Sequence, residues 1–298
     1  MKIAASTVLV NALAVQAVRI VQSNDDGWAE LNIRALNDAL IAGGHQVLLS
    51  GPAEDKSGSS SRDEQPENRD KPCEYNSCPA NSPPYGHNST REDLNWVNSY
   101  PVTSIRYGIN MFAPKLWNGA APELAVTGPN VGTNLFLSVP FSGTVGAACY
   151  ASHDAGIPAI AFSGADDGRH AWNEAPRKSS SVYAQLATNL TSVVIASGKP
   201  YLPKDVFLNV NFPKVSDECS DASKYKFVLS RINPGIFSPK DVNWCGTDRL
   251  PTEDSVYKTK GCYVPVSIGD ATDKTTINDG RQQEVLDKLK SILSCLPK

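Results

Sequence analysis

Apolar positions come in short runs separated by segments with helical spacing. Val18-Arg19-Ile20-Val21 reads as a short buried strand, and Ala35, Leu36, Ala39 and Leu40 then recur on one helical face until Gly43-Gly44. His45-Gln46-Val47-Leu48-Leu49-Ser50 is a second strand, so the chain opens with a βαβ crossover. Further strands are predicted at Glu123-Leu124-Ala125-Val126-Thr127, Pro158 to Ser163, Val206 to Val210, and near 226–230 and 262–268. Helices are predicted from Ser142-Gly143-Thr144 to about Ala155, over 178–197, and near 281–295. Strands alternating with helices imply an α/β fold, its mainly parallel sheet covered on both faces, with a small C-terminal β/α extension. Residues 54–100 break the pattern. Rich in Ser, Asn, Pro, Asp and Glu, they read as a long, partly mobile surface insertion within one domain spanning 18–298.

The elements position one tetrapeptide, Asn24-Asp25-Asp26-Gly27. Gly27 permits a turn, which leaves two adjacent carboxylates in the loop at the carboxyl end of the first strand, where open α/β folds place ligands. Neighbouring anions repel unless a cation shares them, which suggests a divalent metal. The plainer reading is a helix N-cap followed by an Asp-Gly turn. Other strand-end loops carry oxygen donors too: Lys56-Ser57-Gly58-Ser59-Ser60-Ser61 after the second strand, then Asn130 and Asn134. Ser142-Gly143-Thr144 opens a helix whose free N–H groups suit a phosphate. Oxygen donors alone select Mg²⁺ or Mn²⁺, with Ca²⁺ a third candidate, over Zn²⁺. A metal beside an anion pocket is what phosphoryl transfer needs.

Of the 298 residues, 41% are hydrophobic and 20% charged, and the formal net charge is −3. Nothing in that balance suggests a nucleic-acid groove or an anionic membrane partner. Residues 1–17 stand apart. Lys2 precedes the apolar stretch Ile3 to Val15, and Val15-Gln16-Ala17 offers small residues for cleavage before Val18. That is a secretory leader, too short to span a bilayer, rather than a first strand or helix of the fold.

Seven cysteines fit an extracellular address. Cys149, in the apolar stretch Val145-Gly146-Ala147-Ala148-Cys149, reads as a buried free thiol. The other six read as three disulfides: Cys73–Cys78 locally, and Cys245–Cys262 with Cys219–Cys295. Asn88-Ser89-Thr90 and Asn189-Leu190-Thr191 are glycosylation sequons, which place Asn88 and Asn189 on the surface. Asp166-Asp167-Gly168 reads as a solvated turn and His153 and His45 as structural. His170 is a surface histidine or a leaving-group acid, and Trp28 a nucleobase platform or a helix staple.

An ordered set of motifs resembles the SurE survival-protein phosphatases, in a secreted fungal-type form. It runs through Ser23-Asn24-Asp25-Asp26-Gly27, Ile33-Arg34-Ala35-Leu36, Gly44-His45-Gln46-Val47, Gly51-Pro52 and Lys56-Ser57-Gly58. It continues through Thr127 to Asn134, Ser142 to Ala148, Gly156-Ile157-Pro158-Ala159 and Leu208 to Pro213. The resemblance implies a Rossmann-like core and a metal-dependent phosphomonoesterase, often active on nucleoside monophosphates and often a dimer or tetramer. By position it implies Asp25, Asp26, Ser57 and Asn130 as metal ligands, with Asp25 and Asp26 the catalytic pair. Asn134, Ser142, Gly143 and Thr144 line the phosphate side. The chain departs from the family at Pro129, before the ligand Asn, at Tyr150-Ala151-Ser152, and in the insertion over 62–100. The C-terminal third matches poorly, so the family's dimer contacts do not carry over and a homodimer stays an expectation. The rival readings are a non-catalytic secreted binding protein on this scaffold and a haloacid-dehalogenase-type phosphatase. The latter requires Asp-x-Asp, which adjacent Asp25-Asp26 does not supply.

Overall fold

The computed structural model describes residues 17–165 and 167–297, so all of the proposed leader except Ala17 lies outside the described residues, as does Asp166. Nine strands form one sheet: β1 (Arg19–Ser23), β2 (Gln46–Pro52), β3 (Tyr85–His87), β4 (Leu94–Val97), β5 (Leu124–Val131), β6 (Ala159–Gly164), β7 (Val206–Asn211), β8 (Lys226–Ser230) and β9 (Tyr263–Asp270). Their order is β3-β4-β2-β1-β5-β6-β7-β9-β8. The six strands from β4 to β7 run parallel. β3 and β9 are antiparallel to their neighbours β4 and β7, and β8 lies parallel to β9 at the far edge. The helices are α1 (Leu31–Ala42), α2 (Pro101–Tyr107), α3 (Ala113–Leu116), α4 (Gly143–Cys149), α5 (Lys178–Ala196), α6 (Glu253–Lys258) and α7 (Gly280–Leu289).

Alternate strand positions feed two cores, as expected of a parallel sheet buried on both faces. On one face Ile20, Leu124, Val126, Ile160 and Leu208 meet Leu36 and Leu40 of α1, Leu186 and Leu190 of α5, and Val285 of α7. On the other, Val21, Leu48, Ala125 and Ala161 meet Ile105 of α2 and Val145, Ala147 and Ala148 of α4. Small residues on both sides let α4 lie close to the sheet. This is the α/β, three-layer, mainly parallel architecture the sequence implies, and the C-terminal extension joins the same sheet.

Three expectations need correction. Residues 54–100 are not wholly a surface insertion, because Leu94–Val97 is a buried four-residue strand parallel to β2. A strand buried on both faces shows no alternation, and four residues are too few to display a period. The third strand does not end at Thr127. β5 continues to Val131 through a register shift between Thr127 and Asn130, a bulge around Pro129, which has no N–H to donate. The C-terminal disulfides are Cys219–Cys262 and Cys245–Cys295 rather than the pairing expected. β8 and β9 are parallel and start side by side, the Lys226 N–H donating to the Cys262 carbonyl at 2.8 Å, which brings Cys262 next to the segment leading into β8. Cys73–Cys78 forms as expected, and Cys149 is a buried free thiol.

Candidate active site

The carboxyl ends of β2, β1 and β5 lie side by side, and α4 begins where the chain returns from β5. Gly27 has φ +106°, a backbone state that favours glycine, and lets the chain leave β1 through the Asp pair and enter α1. The pair does not cap α1. That helix is capped by Glu30, whose carboxylate accepts the Asn32 N–H at 2.6 Å. Asp25 reaches the start of α4 instead. Its Oδ2 accepts the N–H groups of Gly143 (3.0 Å) and Thr144 (3.1 Å), and its Oδ1 accepts the Thr144 hydroxyl at 2.7 Å. Asp26 Oδ2 accepts the Val131 N–H at 2.9 Å. The Asp25 carbonyl accepts the Lys56 N–H at 2.7 Å, which draws in the β2 loop.

Both carboxylates are buried, at 3% and 1% exposure. Burial raises the pKa of Asp25 against the pull of the Thr144 and Gly143 donors. Burial raises Asp26 well above the carboxylate range, and the charges of Asp25 and Glu30 add to it. Two adjacent carboxylates whose charged forms are disfavoured are suited to a shared cation.

Ser57 and Asn130 each lie one residue from a backbone N–H that bonds the pair. Ser57 Oγ donates to Asp55 Oδ1 at 2.7 Å, and Asn130 Nδ2 donates to the Gly132 carbonyl at 2.6 Å, which leaves its amide oxygen for another partner. The four residues offer only oxygen, the donor chemistry of a hard divalent ion. Among the described residues no group of three or more His, Cys, Asp or Glu side chains is arranged for a metal. An ion here would therefore rest on two carboxylates supplemented by hydroxyl and amide oxygens.

Of the residues assigned to phosphate, Ser142 caps α4 by accepting the Val145 N–H at 3.1 Å and keeps its own hydroxyl proton for another acceptor. Gly143 and Thr144 direct their donors at Asp25. Asn134 is tied into a buried polar network. Its N–H donates to Asn211 Oδ1 (2.8 Å), its Nδ2 to Ser163 Oγ (2.8 Å), and its carbonyl accepts from Asn209 (2.8 Å) and Asn211 (3.1 Å). Asn209 also donates to Glu253 Oε2 at 2.9 Å, and Ser267 Oγ bonds the same oxygen at 3.0 Å. Burial pushes Glu253 up to about 8.

Trp28 is buried, with the Arg34 guanidinium 4.9 Å above its ring, and so staples α1 rather than offering a face to a ligand. His170 has both ring nitrogens engaged, by Glu174 at 3.0 Å and the Asp167 carbonyl at 3.1 Å. His153 pairs with Asp205, and His45 is buried against the Val18 N–H. Asp167 accepts from Ser179 Oγ at the start of α5, as a turn residue would. Asn88 folds its side chain into a turn, accepting from Thr90 and Arg91, while Asn189 is exposed on α5. Sequence reasoning missed Asp55, Arg169 and Glu253. Asp55 pairs with Arg169 across two loops. The spacing of Asp55, two residues before Ser57, is the one sequence signal that could have pointed to it.

The profile of the family described as Survival protein SurE matches residues 20–247. An acid phosphatase of Yarrowia lipolytica is 32% identical over 281 residues, covering 84% of this chain and 78% of that protein. The 5'-nucleotidase SurE of Lawsonia intracellularis is 31% identical over 201 residues, 67% of each. The crystal structure of the Aquifex aeolicus SurE protein superposes with a TM-score of 0.57 at 21% identity, covering 92% of this chain and 98% of that one, and so shares the fold. With the family profile spanning residues 20–247, most of the chain, the protein belongs to the SurE family.

Proposed function

We propose that this protein is a secreted, divalent-metal-dependent phosphomonoesterase that hydrolyses small phosphate monoesters such as nucleoside monophosphates. The observation that carries the reading is the buried Asp25–Asp26 pair at the strand end beside the start of α4. Relatives named acid phosphatase and 5'-nucleotidase support the reaction class. In this reading Asp25, Asp26, Ser57 and Asn130 hold the cation. When bound, it neutralises the phosphate dianion and the charge that develops in the transition state. Gly143 and Thr144 act on Asp25, fixing its orientation with three donors. Ser142 donates its hydroxyl to a nonbridging phosphate oxygen, and Asn134 holds the turn between β5 and α4 in place.

The three disulfides, the leader-like residues 1–17 and the two sequons support secretion, since disulfides persist in oxidising compartments. No helix among the described residues is long and apolar enough to cross a membrane. The rival reading, a binding protein without turnover, predicts no hydrolysis under any metal condition. The test is release of phosphate from p-nitrophenyl phosphate and from nucleoside monophosphates by the mature protein with Mg²⁺ or Mn²⁺. Turnover that EDTA abolishes and added metal restores supports the proposal. No turnover with either metal would favour the rival.

A further inference from the structure

Ser57 is an exposed residue on a loop, an insecure place for a metal ligand unless something holds it. Two groups do. The Asp55 carboxylate accepts both the Ser57 N–H (3.0 Å) and the Ser57 hydroxyl (2.7 Å) on one oxygen, Oδ1. Its other oxygen, Oδ2, is paired with the Arg169 guanidinium from the loop that follows β6. Arg169 is anchored in turn. Its neighbour His170 accepts the Leu31 N–H at 2.9 Å through its carbonyl, and the His170 ring is held by Glu174. The chain of contacts therefore runs from the start of α1, through the β6 loop and Arg169, to Asp55 and then to the Ser57 hydroxyl. A hydroxyl that donates to a carboxylate is fixed in direction and made more electron-rich at oxygen, as when a carboxylate orients a ligand from behind.

We propose that Asp55 and Arg169 are positioning residues that present the Ser57 hydroxyl to the divalent cation, a role that rests on the metal reading above. Neither need touch the ion or the substrate. The sign of one substitution separates positioning from simple electrostatics. Arg169 lies close enough to Asp26 for their charges to interact. By Coulomb's law alone, removing this positive charge should tighten binding of a cation at the Asp pair. Loss of positioning should weaken it.

The experiment is calorimetric titration of the mature protein with Mn²⁺, with no substrate present, alongside melting temperatures of the metal-free variants. Arg169→Gln and Asp55→Ala should each weaken Mn²⁺ binding by roughly ten- to a hundredfold, the range for lost outer partners of a metal ligand. In a Ser57→Ala background neither should weaken it further, because the group they orient is gone. Equal or tighter Mn²⁺ binding by Arg169→Gln overturns the proposal. So does full additivity of Asp55→Ala with Ser57→Ala. A lower metal-free melting temperature with unchanged Mn²⁺ affinity assigns the pair a structural role and also overturns it. Absence of Mn²⁺ binding by the wild-type protein would instead refute the metal reading itself, and this proposal with it.

Discussion

Two buried acidic sites in this molecule have opposite solutions to the same problem. Asp241 lies under the C-terminal part of the chain and carries its own cation, the Arg231 guanidinium at 2.7 Å, with both side chains almost wholly buried. The Leu250 N–H and Gln282 Nε2 fill its remaining acceptor positions at 3.0 and 3.2 Å. Asp25 and Asp26 are as deeply buried and face each other's charge, yet no Lys or Arg forms an ion pair with either among the described residues. Their donors are N–H groups and one hydroxyl. A buried charge that the fold neutralises itself is structural. One that the fold orients but gives no cation either keeps a proton, as burial favours for Glu253, or takes a cation from outside, as proposed for the Asp25–Asp26 pair. Burial alone does not tell them apart; the partner list does.

That contrast can be broken by substitution. The largest expected effect is at the uncompensated site. Asp26→Asn keeps an acceptor for the Val131 N–H but removes the charge, and should lower kcat/KM by at least ~10²-fold, the scale of a lost electrostatic stabiliser. Steady-state assays with Mn²⁺ would show it, and near-wild-type activity would contradict the site. Asp241→Ala should do the reverse. Leaving Arg231 buried and unpaired should cost about 3–5 kcal/mol in urea unfolding with the disulfides intact, with activity per folded molecule retained. Next in size is the ligand effect. Mn²⁺ at a hundred times its Kd should stabilise the wild-type protein and Asp241→Ala alike by about 2.7 kcal/mol, and Asp26→Asn hardly at all.

The smallest effect is a slope. Glu253 titrates near 8 in the fold because it is buried, against an ordinary value of 4.5, so the fold holds this proton more tightly than the unfolded chain does. Its contribution to stability is therefore constant below pH 4.5, falls as pH rises toward 8, and levels off above that, by at most about 1.4 kcal/mol per pH unit. Unfolding free energies over this range should decline less steeply in Glu253→Gln. An unchanged slope would show that Glu253 is ionised throughout.

The sequence read well wherever chemistry and chain order coincide. Asp25-Asp26 after a strand, Ser142-Gly143-Thr144 at the start of a helix and Cys149 in an apolar stretch all lie where local pattern places them. It read poorly wherever a contact joins distant segments. Thr144 as a partner of Asp25, Asn134 as the knot of a network with Asn209 and Asn211, and Asp55 with Arg169 are meetings of loops that only the sheet order creates. The C-terminal disulfides went astray for the same reason, since the starts of β8 and β9 become neighbours only once those strands pair in parallel. The helical segment Pro101–Leu116 drew no assignment at all. It is broken into α2, a wider π-type turn over Gly108–Phe112 and α3, which blurs any single helical period.

The glycines of α4 carry a consequence for how variants of this protein would be interpreted. A methyl group on Gly146 would collide with the Ser60 carbonyl, and one on Gly143 would lie 2.6 Å from Ser59 Oγ. The loop that carries Ser57 thus rests directly on the bare backbone of this helix. Glycine to alanine inside a helix is ordinarily among the mildest of replacements and often a stabilising one. Here it would displace the loop that carries Ser57 from beneath, which a survey that ranks replacements by size and polarity would miss in scoring Gly146→Ala as harmless. Tolerance along this helix is therefore set by the geometry of a neighbouring loop, and natural variation at these two positions should be narrower than at Ala147 and Ala148, which follow them.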